Sequence, residues 1–366
     1  MGNPRLTEAV AGGRAGALAR VRPESWPALA REVRYEGLDG LVYALCLDQG
    51  IAVPQAEAAE LAWGHREVAA RNLAALSGLE ELVAELERAG HEVAVLPGAS
   101  LLHRYPDPGC RPMDDVDLLV PARQEAAVSG RLRSAGFSQS DRHEGIFQRG
   151  DLVVDLHVDL VNGARQPSRA LASWMEPGAV WQRRRRLTSG RGGFWVLGID
   201  DEVIYTAAHA LRHSYRRLSW LCDLRLLLRE EALDWDALRH RAAAFAAHRA
   251  LAYGLRFLDE VAGAALPPPA AAYWRGVRCS ALEECLVRAL FRRGREAELG
   301  EVLWSYSCPG WVARARFLAD FLFPRPPVLR QVYPRVPRGL LPLAYAMRAA
   351  EVVRRGSAAL VSLAKG

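Results

Sequence analysis

The sequence predicts an α+β protein: N-terminal helices, a small mixed-sheet core, and a C-terminal helical domain. Three observations carry that expectation. Residues 5–90 repeat apolar side chains at three- and four-residue steps, the spacing of helices that bury one face. From 91 to 162 the texture changes to short valine- and leucine-rich runs divided by glycine and proline. From about 201 the helical spacing returns. The 366 residues therefore divide into a 1–90 helical region, a 91–200 α/β core and a 201–366 helical domain.

The elements follow in order. "WPALAREVRYEGLDGLVYALCLDQG" reads as helix and stops at Gly50. A second helix runs from about 57 to Gly90; its alanine, leucine, glutamate and arginine favour helix, and the glycine ends it. "HEVAVLPG" and "DDVDLLVP" are short strands, and "ARQEAAVSGRLRSAGF" is a helix ending near Gly136. "GDLVVDLHVDL" alternates: Val154, Leu156, Val158 and Leu160 share one face, and Asp155, His157 and Asp159 share the other. A hairpin fits "RHEGIFQRGDLVV".

Residues 163–200 connect this unit to the next. Their arginine run, 183–186, beside "SGRGG", reads as a solvated loop or hairpin edge in preference to a phosphate site. "FWVLGIDDEVIY" is a strand followed by a helix with Asp200 and Asp201 in its first turn, where the helix dipole favours them. "LPPPA" at 266–270 is a break, and 308–340 is rich in proline. The final stretch, "LLPLAYAMRAAEVVRRGSAALVSLAK", reads as a basic amphipathic helix, which suits packing on the helical domain in preference to a membrane surface.

Composition narrows the class. With 50% hydrophobic and 25% charged residues, a folded chain is the default. The net charge of +6 permits an anionic partner without requiring nucleic acid, and no basic stripe with interleaved aromatics is present. Lys365 is the one lysine, so phosphate recognition falls to arginine forks, backbone amides or a metal. Six cysteines (46, 110, 222, 279, 285 and 308) form no CxxC pair, which argues against a zinc site of the usual spacing. No run reaches the ~18–20 apolar residues of a membrane helix, and no secretory leader is evident. A reduced, cytoplasmic protein is expected.

The chemistry concentrates in "VLPGASLLHRYPDPGCRPMDDVDLLV", residues 95–120. Gly98 after a strand permits close backbone approach, and a helix beginning near Ser100 offers N–H groups that suit phosphate. Asp115 and Asp117 are two apart in an apolar strand, so both leave one face. Like charges side by side need a cation or hydrogen bonds. Mg²⁺ or Mn²⁺ fits, because such ions take carboxylate oxygens together with substrate phosphates. Taken alone, the pair also fits a solvated acidic turn. Asp155, on the alternating strand, supplies a third carboxylate and a base for an acceptor hydroxyl. His157 shares its face as site wall or exposed edge.

In the helical domain, His209 and His213 lie four apart on one face. They lack a glutamate between them and a third ligand, so a structural or pocket role is preferred over metal. Asp223 in an apolar helix calls for a histidine or arginine partner, since a buried carboxylate without one is costly.

The order strand, Gly98-Ala99-Ser100, helix, Asp115-x-Asp117, then Asp155 resembles the nucleotidyltransferase fold of the DNA polymerase β superfamily. More narrowly, the chain looks like a bacterial group of uncharacterised nucleotidyltransferases. Gly98, Tyr105, Arg111, Asp115, Asp117 with "LLV", and Asp155-Leu156-His157 carry that likeness, with "HALRH" and "WLCDLRLLL" in the helical region. The resemblance implies a metal-dependent transfer of a nucleoside monophosphate from a nucleoside triphosphate. The acceptor would be a small molecule, sugar, peptide or protein, in a polysaccharide or natural-product pathway.

On that reading Asp115, Asp117 and Asp155 hold metal, and Gly98 and Ser100 cradle phosphates. Pro97 stands where the group usually has lysine, which shifts the triphosphate charge to Arg104 or Arg111. A catalytically silent binding or regulatory relative is the alternative, with Pro97 as its evidence. A nucleic-acid polymerase ranks third.

Overall fold

In a computed structural model, residues 3–363 are described apart from 142, 144, 164–165, 173–176, 189–191 and 294–298. The chain opens with α1 (Pro4–Val10), α2 (Trp26–Glu36), α3 (Asp39–Asp48) and the long α4 (Gln55–Arg88). The expected single helix through Gly50 is split in two. Gly37 takes φ +68°, a left-handed turn that closes α2 through its N–H to Arg34 and lets α3 leave in a new direction.

The sheet elements are β1 (Ala94–Val95), β2 (Val116–Leu119), α5 (Glu125–Ser134), β3 (Ser138–Gln139), β4 (Ile146–Arg149) and β5 (Leu152–His157). After α6 (Arg169–Ala172) and α7 (Pro177–Arg183) come β6 (Arg185–Leu187) and β7 (Phe194–Val196). Helices complete the chain: α8 (Ile199–Arg212), α9 (Leu218–Leu227), α10 (Trp235–Ala244), α11 (His248–Arg256), α12 (Pro268–Gly276) and α13 (Ala281–Arg293). They continue with α14 (Gly300–Trp304), α15 (Gly310–Leu322), α16 (Pro326–Val332) and α17 (Leu341–Leu363). The prolines at 267–269 start α12 rather than merely interrupting the chain, because proline fits the first helical turn. The terminal helix α17 packs on α13, α15 and α16, as its amphipathic pattern requires; Lys365 lies outside the described residues.

The seven strands form one mixed sheet in the order β3-β4-β5-β2-β1-β7-β6. The fold is α+β, with helices at both ends of the chain. β4 and β5 form the expected hairpin. β7 inserts parallel to β1 and carries β6 as the edge.

Part of the arginine run thus lies on a hairpin edge, where its charges are occupied. Arg183 donates to both oxygens of Asp201 at 2.9 Å, and Arg185 donates to Glu202 at 2.8 Å. The Arg184 guanidinium lies 4.8 Å from the Trp195 ring centre. Residues 189–191 of the glycine-rich turn lie outside the described residues.

Strand parity divides the interior. Val116, Leu118, Val154 and Leu156 point to one face, where Leu79, Leu82, Val83 and Leu86 of α4 and Val128 and Leu132 of α5 cover them. Ala94, Leu96 and Leu119 point to the other face and join a larger core that includes α1–α3 and the C-terminal helices. Asp117, Asp155 and His157 share the parity of Leu119, so they face the helical domain.

Candidate active site

β2 and β5 run parallel in a register that sets Asp117 opposite Asp155 and Leu119 opposite His157. In parallel strands, residues opposite one another point the same way, so the two carboxylates stand side by side. His157 lies between them, with Nε2 2.7 Å from Asp117 Oδ1 and 3.5 Å from Asp155 Oδ2. Its Nδ1 meets Asn162 Oδ1 at 2.9 Å, which fixes the ring. Asn162 takes φ +57° to make that contact, a conformation asparagine tolerates better than most residues.

Asp115 falls one residue before β2 rather than on it. The parallel ladder to β5 begins at Val116. It still borders the same cleft. Upstream, the buried Asn72 of α4 donates to the carbonyls of Pro108 and Arg111 at 2.6 and 2.7 Å, anchoring the turn that leads to it. The same turn is braced by His65, whose Nε2 lies 2.8 Å from Asp107, and Asp107 also accepts from the Gly109 N–H.

The electrostatics follow from this crowding. Desolvation, then the charges of Asp117, Asp155 and Asp114, push the Asp115 carboxyl up to about 7. Asp115 keeps an exposed surface at the cleft mouth, where water screens part of the repulsion. Burial alone would lower the His157 pKa. The charge and hydrogen bond of Asp117, followed by the charge of Asp155, outweigh it and raise the value. The two carboxylates thus shift the His157 equilibrium towards the charged ring, whose contact with Asp117 offsets part of their repulsion. Asp117, Asp155 and His157 lie with one potential ligand atom each within 4.8 Å of one another; the carboxylate oxygens suit a divalent cation directly, and His157 could join them only after losing the ring proton.

A cleft of ≈ 800 Å³ opens above these groups. Its far wall comes from α8 and α9. Tyr205, His209 and Arg212 succeed one another on one face of α8. The His209, His213 and Trp220 rings lie 4.7–5.1 Å apart between centres. The expected partner of Asp223 is Arg111, whose Nε and Nη2 donate to its two oxygens at 2.9 and 2.8 Å. Tyr105 also donates to Asp223, at 2.6 Å.

Gly98 borders the cleft beside Pro97 and takes φ +144°, which a side chain would strain. The segment after it is a six-residue 3₁₀ helix, Ala99–Arg104, in place of the expected α-helix. Ser100 is fully buried and donates to Glu202 at 2.9 Å. Arg104 donates to Glu230 at 2.8 Å and Glu202 at 3.4 Å. Neither Ser100 nor Arg104 lines the cleft. Asp114 lies at its mouth and pairs with Arg217 at 2.7 Å.

The structure thus brings together Gly98, Arg111, Asp115, Asp117, Asp155, His157, His209, His213 and Asp223 around one cleft. Sequence reasoning missed Asn162, Tyr205, Arg212 and Trp220 as its walls. An arginine between two histidines at the end of α8 was the available signal for Arg212.

A family model described as "uncharacterised nucleotidyltransferase" matches residues 22–263. That span contains every cleft residue named above. No curated protein and no solved structure matches the chain.

Proposed function

Because the chain belongs to this family of uncharacterised nucleotidyltransferases, we propose that it transfers a nucleoside monophosphate from a nucleoside triphosphate to a small-molecule, sugar or peptide acceptor, using Mg²⁺ or Mn²⁺. The observation that carries this reading is the parallel register that sets Asp117 beside Asp155, with His157 bonded to the first. Carboxylate oxygens suit a hard divalent cation, and Asp115, Asp117 and Asp155 would hold it. The cation would neutralise phosphate charge and the charge of the departing pyrophosphate.

The chain's own groups supply the rest. The acceptor oxygen attacks the α-phosphorus, and the bond to pyrophosphate breaks with its electron pair on the leaving group. Asp155 takes the acceptor's proton. His157, held by Asn162, keeps the carboxylates in place. Gly98 lets the backbone border the phosphates. A cleft of ≈ 800 Å³ has room for a nucleotide together with an acceptor.

Calorimetry with each nucleoside triphosphate tests the reading. Binding that requires Mg²⁺ or Mn²⁺ is expected, and Asp115→Ala with Asp117→Ala should abolish it. No triphosphate binding with either metal would sink the proposal. A silent binding module is the second reading, favoured by Pro97 in the cleft where the resemblance places lysine. Metal-dependent triphosphate binding with no mass gain in any acceptor class would favour it.

A further inference from the structure

Among the described residues, five arginines line the cleft: Arg111, Arg169, Arg212, Arg216 and Arg217. Three are held by carboxylates: Arg111 by Asp223 at 2.8 Å, Arg169 by Glu301 at 2.7 Å and Arg217 by Asp114 at 2.7 Å. Arg216 is exposed at the rim. Arg104 lies outside the cleft and is engaged by Glu230 and Glu202. Both arginines to which the sequence assigns the triphosphate are therefore taken.

Arg212 differs. Its Nε and Nη2 lie 3.3 and 3.2 Å from His213 Nε2, and Nη2 lies 3.4 Å from His209 Nδ1. Among the described residues no carboxylate pairs with it, and its Nη1 has no protein partner. The two imidazoles cannot neutralise it. Burial and then the Arg212 charge push His213 down to about 2. Burial, then His213 and Arg212, hold His209 well below its usual range. Both rings stay neutral at physiological pH, so each can accept an N–H without cancelling the charge. Desolvation, then the like charge of Arg169, lowers the Arg212 pKa as well. Arg212 is half-buried, and Glu301 and Asp117 act on its charge only from a distance, so a charged N–H is left facing the cleft for an anion from solution.

The position of Arg212 selects the anion. It shares the cleft with Asp115, Asp117 and Asp155, and Asp117 lies close enough to perturb it electrostatically. A ligand held at those carboxylates through a cation, and at Arg212 directly, must carry several anionic oxygens. The planar guanidinium fork matches phosphoryl oxygens in pairs.

We propose that Arg212, oriented by His209 and His213, binds the polyphosphate tail of the nucleoside triphosphate and does the work that the lysine absent at position 97 would do. The assignment rests on the nucleotidyltransferase reading for the identity of the ligand.

Calorimetry of the full chain with inorganic tripolyphosphate and Mg²⁺ tests it, using wild type, Arg212→Gln and Arg212→Lys. Wild type is expected to bind. Arg212→Gln should weaken binding about tenfold to a hundredfold, as the loss of charge-assisted hydrogen bonds does. Arg212→Lys should recover part of it. The melting temperature of Arg212→Gln should stay at or above that of wild type, because the charge removed has no carboxylate paired with it; a purely structural arginine would lower it. Equal affinity in wild type and Arg212→Gln overturns the assignment, as does absence of tripolyphosphate binding by wild type. Should Arg212→Gln fail to fold, Arg212→Lys decides: wild-type affinity there rules out the fork.

Nucleoside triphosphates run in parallel separate the two claims. Metal-dependent nucleotide binding unaffected by Arg212→Gln removes Arg212 alone. Tripolyphosphate binding through Arg212 without nucleotide binding removes the transferase reading alone.

Discussion

Asp117 and Asp155 stand side by side, and the hydrogen bond from His157 to the first eases a repulsion that a cation would relieve more fully. Asp117→Asn removes one of the two carboxylates and so tests whether they hold a cation together. Wild type should gain melting temperature on addition of Mg²⁺ by mass action, and the variant should not. Equal gains in a calorimetric scan would count against Asp117 as a ligand.

Arg111 and Asp223 make the opposite case, a buried pair that holds the floor of the cleft. Removing one partner strands the other charge, so Asp223→Ala should cost about 3–5 kcal/mol in urea unfolding. At this scale the acidic residues were legible because Asp115-x-Asp117 and the alternation around Asp155 each follow from strand parity. Ser100 and Arg104 were not, because their partner Glu202 comes a hundred residues later and no local pattern announces it.

The helix α8 carries the cleft's far wall and its acid sensitivity. His213 is half-buried at the cleft and held neutral, with its pKa moved from the ordinary 6.5 to about 2, and His209 is shifted the same way. The unfolded chain takes up these protons below pH 6.5 while the folded chain does not. Stability is therefore full above about pH 6.5 and falls as pH drops below it. Each such histidine contributes a slope of about 1.4 kcal/mol per pH unit at most. His213→Gln should flatten the loss measured by denaturant unfolding between pH 6.5 and 4.5; an unchanged slope would show that His213 is protonated in the folded state.

Helices of this kind were readable from their period, and their ends less so. Gly37 split one expected helix, and the prolines before α12 began a helix where a break was expected. Both depend on a single backbone conformation that periodicity does not encode.

At the scale of the molecule, one sheet is covered on one side by α4 and α5, and its other side turns the carboxylates towards the C-terminal helices. The composition shifts at 90 and 200 made the α+β character legible. The insertion of β7 between β1 and β6 was not, because pairing across a hundred residues is decided by packing rather than local pattern. The joining of the first helices to the last in one core was hidden for the same reason.

The cleft between sheet and helices, with the carboxylates on one wall and Arg212 on the other, is the product of that long-range assembly. A crystal soaked with Mn²⁺ and a nucleoside triphosphate tests the metal site most directly. Anomalous density bridging the Asp117 and Asp155 carboxylates, with the triphosphate extending towards α8, is the expected result. Absence of density there, with His157 still bonded to Asp117, would contradict it.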